Sequence, residues 1–272
     1  MHAACYDLAR NPPTFDAVAF IVQVAERFGG DAVRIGIAPG PAGGFRTDHL
    51  WPYSIDQRED LLARVVLPLF RMLPGAVVER GAVDGFGAGH YTIPWSYFVR
   101  CMGKGIRPLR PAQRIAPDRR LVTITLREAE HWPERNSNVP EWLAAAKAIE
   151  ANGFDVLIIR DSLRAHEQID GHTTFPDASL DLDWRGAIYR AAVCNLFVSN
   201  GPAWFAMACD APVLVLKPTC EALGACYDSA WFQSCGIAPG GQFPNAPRYH
   251  RIAWAQDDCA AIVAAFDGFM TQ

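Results

Sequence analysis

The chain has 272 residues, of which 50% are hydrophobic and 20% charged, with a formal net charge of −4. This composition supports a sizeable core and excludes general nucleic-acid binding, which needs clustered excess positive charge. No run approaches the ~18 uncharged apolar residues of a membrane span, and the N-terminus MHAACYDLARNPP lacks the basic-then-apolar layout of a signal peptide, so a cytoplasmic protein is expected.

In chain order, residues 3 to 8 (AACYDL) predict a short strand. FDAVAFIVQVAERFG predicts a helix, with Val18, Ile21, Val22 and Ala25 at helical spacing and Gly29-Gly30 as its stop. DAVRIGIAP reads as a second strand. A glycine- and proline-rich loop carrying Gly43-Gly44-Phe45-Arg46 and His49 follows it. Residues 56 to 73 form an amphipathic helix pattern with Leu61, Leu62, Val65, Val66 and Phe70 on one side, and GAVVER a third strand. Residues 94 to 103 fit a further helix with Pro94 in its first turn. The proline-rich, basic stretch KGIRPLRPAQRIAPDR has no apolar periodicity and reads as a linker.

The second half repeats the alternation. RLVTITLR is a strand, and a helix opens at Asn138 and Pro140 and stops at Asn152-Gly153. FDVLIIRD is a buried strand and WRGAIYRAA a helix. VCNLFV is then a strand that breaks at Ser199-Asn200-Gly201-Pro202 into a small-residue helix, followed by the strand APVLVL. DDCAAIVAAFDGFM closes the chain as a helix, with Ile262, Phe266 and Phe269 in one stripe. Strands alternating with helices imply parallel sheets covered on both faces. The expectation is an α/β protein of two Rossmann-like domains facing a cleft. These are a reduced N-terminal domain over 1–106, a linker over 107–119 and a C-terminal domain over 120–272, whose last helix is expected to pack back on the N-terminal domain.

The eight cysteines show no Cys-x-x-Cys pair, and several lie in apolar runs, so packed thiols are expected rather than a zinc site or a disulfide framework. In open α/β sheets ligands collect at the carboxyl ends of strands, where helix N-termini present N–H groups. Ser199, Asn200, Gly201 and Pro202 stand at such a point, although an ordinary tight strand-to-helix turn explains them equally. Arg127 and Arg160 end neighbouring strands, and Arg135, Asn136 and Asn138 lie in the loop beyond Arg127. An arginine fork matches phosphate and asparagine suits sugar hydroxyls, so these residues are candidates for one anion site, favouring a nucleotide diphosphate. GFGAGH at 85–90 lacks the spacing of a dinucleotide fingerprint. Asp181-Leu182-Asp183 precedes a helix, where capping explains it.

The segment LDLDWRGAIYRAAVCNLFVSNGPAWFAMACDAPVLVLKPT resembles the C-terminal nucleotide-sugar domain of GT-B glycosyltransferases, especially the heptosyltransferase-like group. The resemblance covers roughly residues 118 to 220. Two features depart from that group's pattern. Asn200 runs straight into Gly201-Pro202 without the acidic residue, and Trp204 stands near the expected histidine. The resemblance implies a bacterial-type, inverting, metal-independent transfer with no cofactor. A nucleotide sugar would be the donor, and the acceptor a glycan, a lipid-linked compound or a small molecule. It also implies a base in the first strand–helix loop, where Asp16 is the first choice; Asp16 reads equally as a helix-terminus carboxylate. Asp48, His49, Asp84 and His90 stand in neighbouring loops, and Arg10, Arg46, His49 and His90 are candidates for holding acceptor or phosphate. A sugar-nucleotide epimerase and a degenerate, non-catalytic nucleotide- or sugar-binding domain remain alternatives on the same fold.

Overall fold

The computed structural model describes residues 1–47, 53–90, 109–220 and 229–271. Asp48, His49, the helix expected over 94–103 and the first two residues of the expected linker lie outside them.

The first half is built on β1 (His2–Asp7), α1 (Ala17–Phe28), β2 (Val33–Ala38) and β3 (Ala76–Arg80). The three strands pair in parallel in the order β1-β2-β3. Phe86 bridges to the other edge of β1, its carbonyl accepting from Cys5 N at 2.7 Å. Helix α1 is buried from Ala17 to Ala25 and ends where Gly29 turns left-handed at φ 60°, a conformation glycine adopts without a Cβ penalty.

The helix expected over 56–73 begins with a Ser54–Gln57 capping box but is interrupted. It runs as α2 (Ile55–Leu61), a π-turn (Leu62–Val66) and α3 (Leu67–Arg71). Pro68 explains the break. It has no N–H to offer the Arg64 carbonyl, and its ring would collide with that carbonyl in a regular helix. The chain widens instead, and Leu67 N–H reaches back five residues to the Leu62 carbonyl.

The second half is a six-stranded parallel sheet of β4 (Asp118–Thr125), β5 (Asp155–Ile159), β6 (Thr173–Thr174), β7 (Ala192–Val198), β8 (Val213–Leu216) and β9 (His250–Ile252), in the order β6-β5-β4-β7-β8-β9. Around it lie α4 (Val139–Ala151), α5 (Pro176–Leu180), α6 (Leu182–Ala191), α7 (Gly201–Ala208), α8 (Ser229–Ser234) and α9 (Cys259–Met270). Numbered from β4, this is the doubly wound order 3-2-1-4-5-6, and its winding reverses between β4 and β7. The pieces not anticipated from sequence, β6, β9, α5 and α8, are too short to show a period.

Two cores result. One face of the second sheet packs on α4 and α9 through Val122, Ile124, Trp142, Ile149, Leu196, Ile262 and Phe266. The last helix, expected to return to the N-terminal half, packs among the described residues on α4 and β8. Its stripe is taken up by α4 and by Phe154, whose ring meets Phe266 edge-on at 5.0 Å. The opposite face shares a continuous core with the first half. Helix α7 lies in the middle of it, with every residue from Ala203 to Ala208 buried. A helix apolar all round needs protein on every side, and α7 finds it in α1, β7 and β8. Leu109 is buried and donates to the Ala208 carbonyl at 2.9 Å, while Arg110 N–H donates to Met72 at 2.9 Å.

A polar network locks the centre of the second sheet. Thr123 Oγ1 donates to Asn195 Oδ1 at 2.6 Å, and Asn195 Nδ2 donates to the carbonyls of Tyr189 at 2.8 Å and Pro212 at 2.7 Å. Asn195 is 0% exposed, so its removal strands buried acceptors, at about 1–3 kcal/mol each. Asn195→Ala should lower the unfolding free energy by roughly 3 kcal/mol in urea titration; a loss below ~1 kcal/mol would show that the network does not hold the sheet.

Candidate functional site

A cavity of ≈ 190 Å³ opens at the carboxyl ends of β4, β5 and β7, where the sheet's winding reverses and ligands of doubly wound folds collect. The second half supplies Thr125–Arg127, Arg160–Ser162 and Asn200–Pro202. The first half faces them with Thr14, Phe15, Tyr53 and the α2/π-turn residues Asp60, Leu61, Arg64 and Val65. The cavity is thus a cleft between the halves, and the π-turn forms part of its wall.

Ser199, Asn200, Gly201 and Pro202 lead into α7. The Asn200 side chain, 4% exposed, caps the helix by accepting from Ala203 N at 3.0 Å. Pro202 has no N–H, which leaves Gly201 N–H as the first-turn donor not used in capping. A Cβ on Gly201 would run into the Cβ of Phe15. The glycine therefore admits the N-terminal half against the turn. The Ser199 carbonyl accepts from Arg135 Nη2 at 2.8 Å.

The candidate arginines reach this region but are largely held by their own loops. Arg127 donates to the carbonyls of His131 and Trp132 and to Asn136 Oδ1. Asn136 also bonds both ways with the Ala129 backbone, so it acts as a strut of the 128–136 loop. All three nitrogens of Arg160 donate to Glu128 or Glu167. Arg160 and Glu128 side chains are each 7% exposed, a closed pair that offers no fork to a ligand. Arg160, expected as a phosphate binder, lines the cleft with its charge already met by carboxylates. Asn138 lies at the N-terminus of α4 with its side chain exposed, and its N–H donates to buried Asp257 at 2.7 Å. Asp257 also accepts from Trp142 Nε1 at 3.0 Å and lies 3.5 Å from Lys217 Nζ.

Arg185 was missed in the sequence because it sits inside an ordinary helix pattern. It is 4% exposed, lines the cavity, donates to the carbonyls of Ala178 and Ser179 and lies 5.6 Å from the centroid of the Phe15 ring. Those acceptors are neutral, so its charge is oriented without being cancelled. Tyr53 was also missed. Burial foremost and then the Asp161 carboxylate raise its hydroxyl pKa, while Arg127 opposes them.

Asp16 precedes α1 directly after the cleft-lining Thr14 and Phe15. No side-chain capping bond engages it. Burial raises its pKa to about 6, with Arg135, Thr14 and Arg46 pulling the other way. Arg46 donates to the Arg10 carbonyl at 3.2 Å. Arg10, Asp84 and His90 are exposed, and the His90 carbonyl accepts from Asn11 at 3.0 Å. The cleft wall carries buried guanidinium charge and a helix N-terminus, both suited to an anion, and the chain that lines it through Thr14 and Phe15 leads directly into Asp16, whose carboxyl pKa burial raises to about 6.

Asp181 Oδ1 accepts from Asp183 N at 2.7 Å and Trp184 N at 3.3 Å, the cap expected for the Asp-Leu-Asp triplet. Burial raises the thiol pKa of Cys194 and of Cys209, as suits packing residues. Among the described residues no group of three or more His, Cys, Asp or Glu side chains gathers as metal ligands.

Because the folded-state pKa of Asp16 lies above its ordinary 3.8, the native chain binds the extra proton between about pH 4 and 6. Stability therefore falls as pH rises through that window, and above it the ionised carboxylate is a cost. Asp16→Asn should raise the unfolding free energy at pH 7.5 by roughly 1–3 kcal/mol, with little gain at pH 4. Equal effects at both pH values would remove the burial argument.

No family model matches the chain, and no curated protein sequence matches it. Among solved structures it is similar to the dodecameric iron-containing heptosyltransferase TibC in complex with ADP-D-beta-D-heptose, at 12% identity and TM-score 0.50, over 99% of this chain and 76% of that one. The E. coli ADP-heptose LPS heptosyltransferase II aligns at 10% identity and TM-score 0.48, over 100% of this chain and 99% of the other. E. coli heptosyltransferase WaaC with ADP aligns at 11% identity and TM-score 0.42, over 100% and 97%. The two parallel sheets across a cleft, together with the TibC likeness, give this chain the GT-B fold of the heptosyltransferases.

Proposed function

We propose that the chain is a glycosyltransferase of bacterial, cytoplasmic type that moves a sugar from a nucleotide-activated donor to an acceptor hydroxyl. The observation that carries this reading is the cleft at the sheet's reversal point, lined by Arg127 and Arg185, with Asp16 and its pKa of about 6 following directly on the cleft-lining Thr14 and Phe15. The donor diphosphate would lie against Arg127, Arg185 and the Gly201 N–H at the start of α7. Arg135 would act by holding the Ser199 carbonyl, and Asn200 by capping α7.

Asp16 as a carboxylate would take the acceptor's hydroxyl proton while the oxygen attacks the anomeric carbon. The diphosphate would leave on the opposite face, which gives inversion. The negative charge that grows on it would meet guanidinium groups and the helix terminus, positioned in advance and largely out of water. In this reading no metal is needed to receive that charge.

TibC holds ADP-D-beta-D-heptose, so adenine diphosphate sugars head a thermal-shift panel of nucleoside diphosphates and nucleotide sugars. A ligand at ~100 times its dissociation constant stabilises by about 2.7 kcal/mol. Arg185→Gln should reduce that shift. If no member of the panel moves the midpoint, the donor assignment fails. With donor and acceptor in hand, kcat/KM should climb with pH and level off above about 6, since the base works ionised. Asp16→Asn should lower it by about 10²–10⁴-fold. A variant that keeps wild-type turnover would take Asp16 out of the chemistry.

A further inference from the structure

A second concavity of ≈ 500 Å³ lies outside the cleft. Its walls are the segment 110–117, through Arg110, Pro111, Arg114, Ile115 and Pro117, and helix α6, through Ala187 and Arg190. At about 100° per residue, Ala187 and Arg190 fall on the side of α6 away from Arg185, so this groove and the cleft use different faces of one helix.

The groove is held in shape from both sides. Arg110 N–H donates to the Met72 carbonyl at 2.9 Å and Ala112 N–H to Asp183 Oδ1 at 2.6 Å. Pro111 seats against Gly186, where a Cβ would lie 2.5 Å from Pro111 Cγ. Arg190 Nη1 donates to the Cys209 carbonyl at 2.9 Å, which fixes its fork at the rim.

Among the described residues no acidic side chain lines the groove, and no carboxylate pairs with Arg110, Arg114 or Arg190. Two acids stand nearby: Asp183 accepts from Ala112 N–H of the groove wall, and Asp210 from the Tyr249 hydroxyl at 2.5 Å. Three like charges share one concave wall in a chain whose formal charge is −4. Gathering them there raises the local potential, and of the three only Arg190 spends its side chain on a protein partner among the described residues. Between them Pro111, Ile115 (38% exposed), Pro117 and Ala187 offer an apolar floor.

We propose that this groove binds a phosphoryl-bearing anion, whose charge meets Arg110, Arg114 and Arg190 and whose carbon body lies on Pro111, Ile115 and Pro117. The proposal is independent of the chemistry in the cleft. Two probes test it on the full chain at low salt: inorganic pyrophosphate by calorimetry, and phosphatidylglycerol against phosphatidylcholine vesicles by co-sedimentation. The double variant R110Q/R114Q alters only exposed side chains and leaves the cleft residues in place. Binding of at least one probe should weaken tenfold or more in R110Q/R114Q, weaken with added salt, and persist in R110K/R114K. Loss confined to pyrophosphate identifies a soluble phosphate compound; loss confined to anionic vesicles identifies a lipid headgroup. If neither probe binds, or R110Q/R114Q with an unchanged unfolding midpoint binds like the parent chain, the groove is not a phosphate site.

Discussion

The burial of α7 between the two halves is the constraint on which the rest of the molecule depends. Trp204, Phe205 and Met207 are each at most 3% exposed, and burying side chains of this size contributes about 1.5–3 kcal/mol apiece. Because α7 begins at the end of β7, the same packing that joins the halves also sets the edge of the cleft. Phe15 meets Gly201 and lies 6.1 Å from Phe205. It therefore fixes how far the loop carrying Asp16 stands from the strand ends. Cleft width and interdomain packing are one quantity here.

A second consequence concerns arginine. Guanidinium groups at strand exits suggest ligand binding, yet much of their hydrogen-bonding capacity is consumed inside the protein. Arg160 closes on Glu128 and Glu167, whereas Arg127 and Arg185 donate to neutral oxygens. The distinction is physical. A carboxylate cancels the charge that a ligand would see, while a carbonyl orients the fork and leaves the field in place. Arg160 thus reads as part of the scaffold, and Arg185 as a fixed source of positive potential.

Asp16 shows the opposite bargain. Its carboxyl is kept in a place that disfavours ionisation, and burial outweighs Arg135 and Arg46. Such a group weakens the fold near neutrality and gains basicity in return.

Hydrophobic periodicity alone determined the alternation of strands and helices, since the spacing of apolar residues is a local property. It also located the strand exits where Arg127, Arg160 and Ser199–Pro202 stand, and it marked Asp181 as a helix cap. Where each guanidinium points depends on partners distant in the chain, such as Ser199 for Arg135 at 2.8 Å and Glu128 for Arg160 at 2.9 Å, so only the folded structure could sort binders from struts. The π-turn is an intermediate case: Pro68 is visible in the sequence, but the widened helix is one of several ways to accommodate it. Gly201 has the same character. Its small size was legible, but that the neighbour requiring it is Phe15 of the other half was decided by tertiary packing, because contact between residues so far apart along the chain leaves no trace in local pattern.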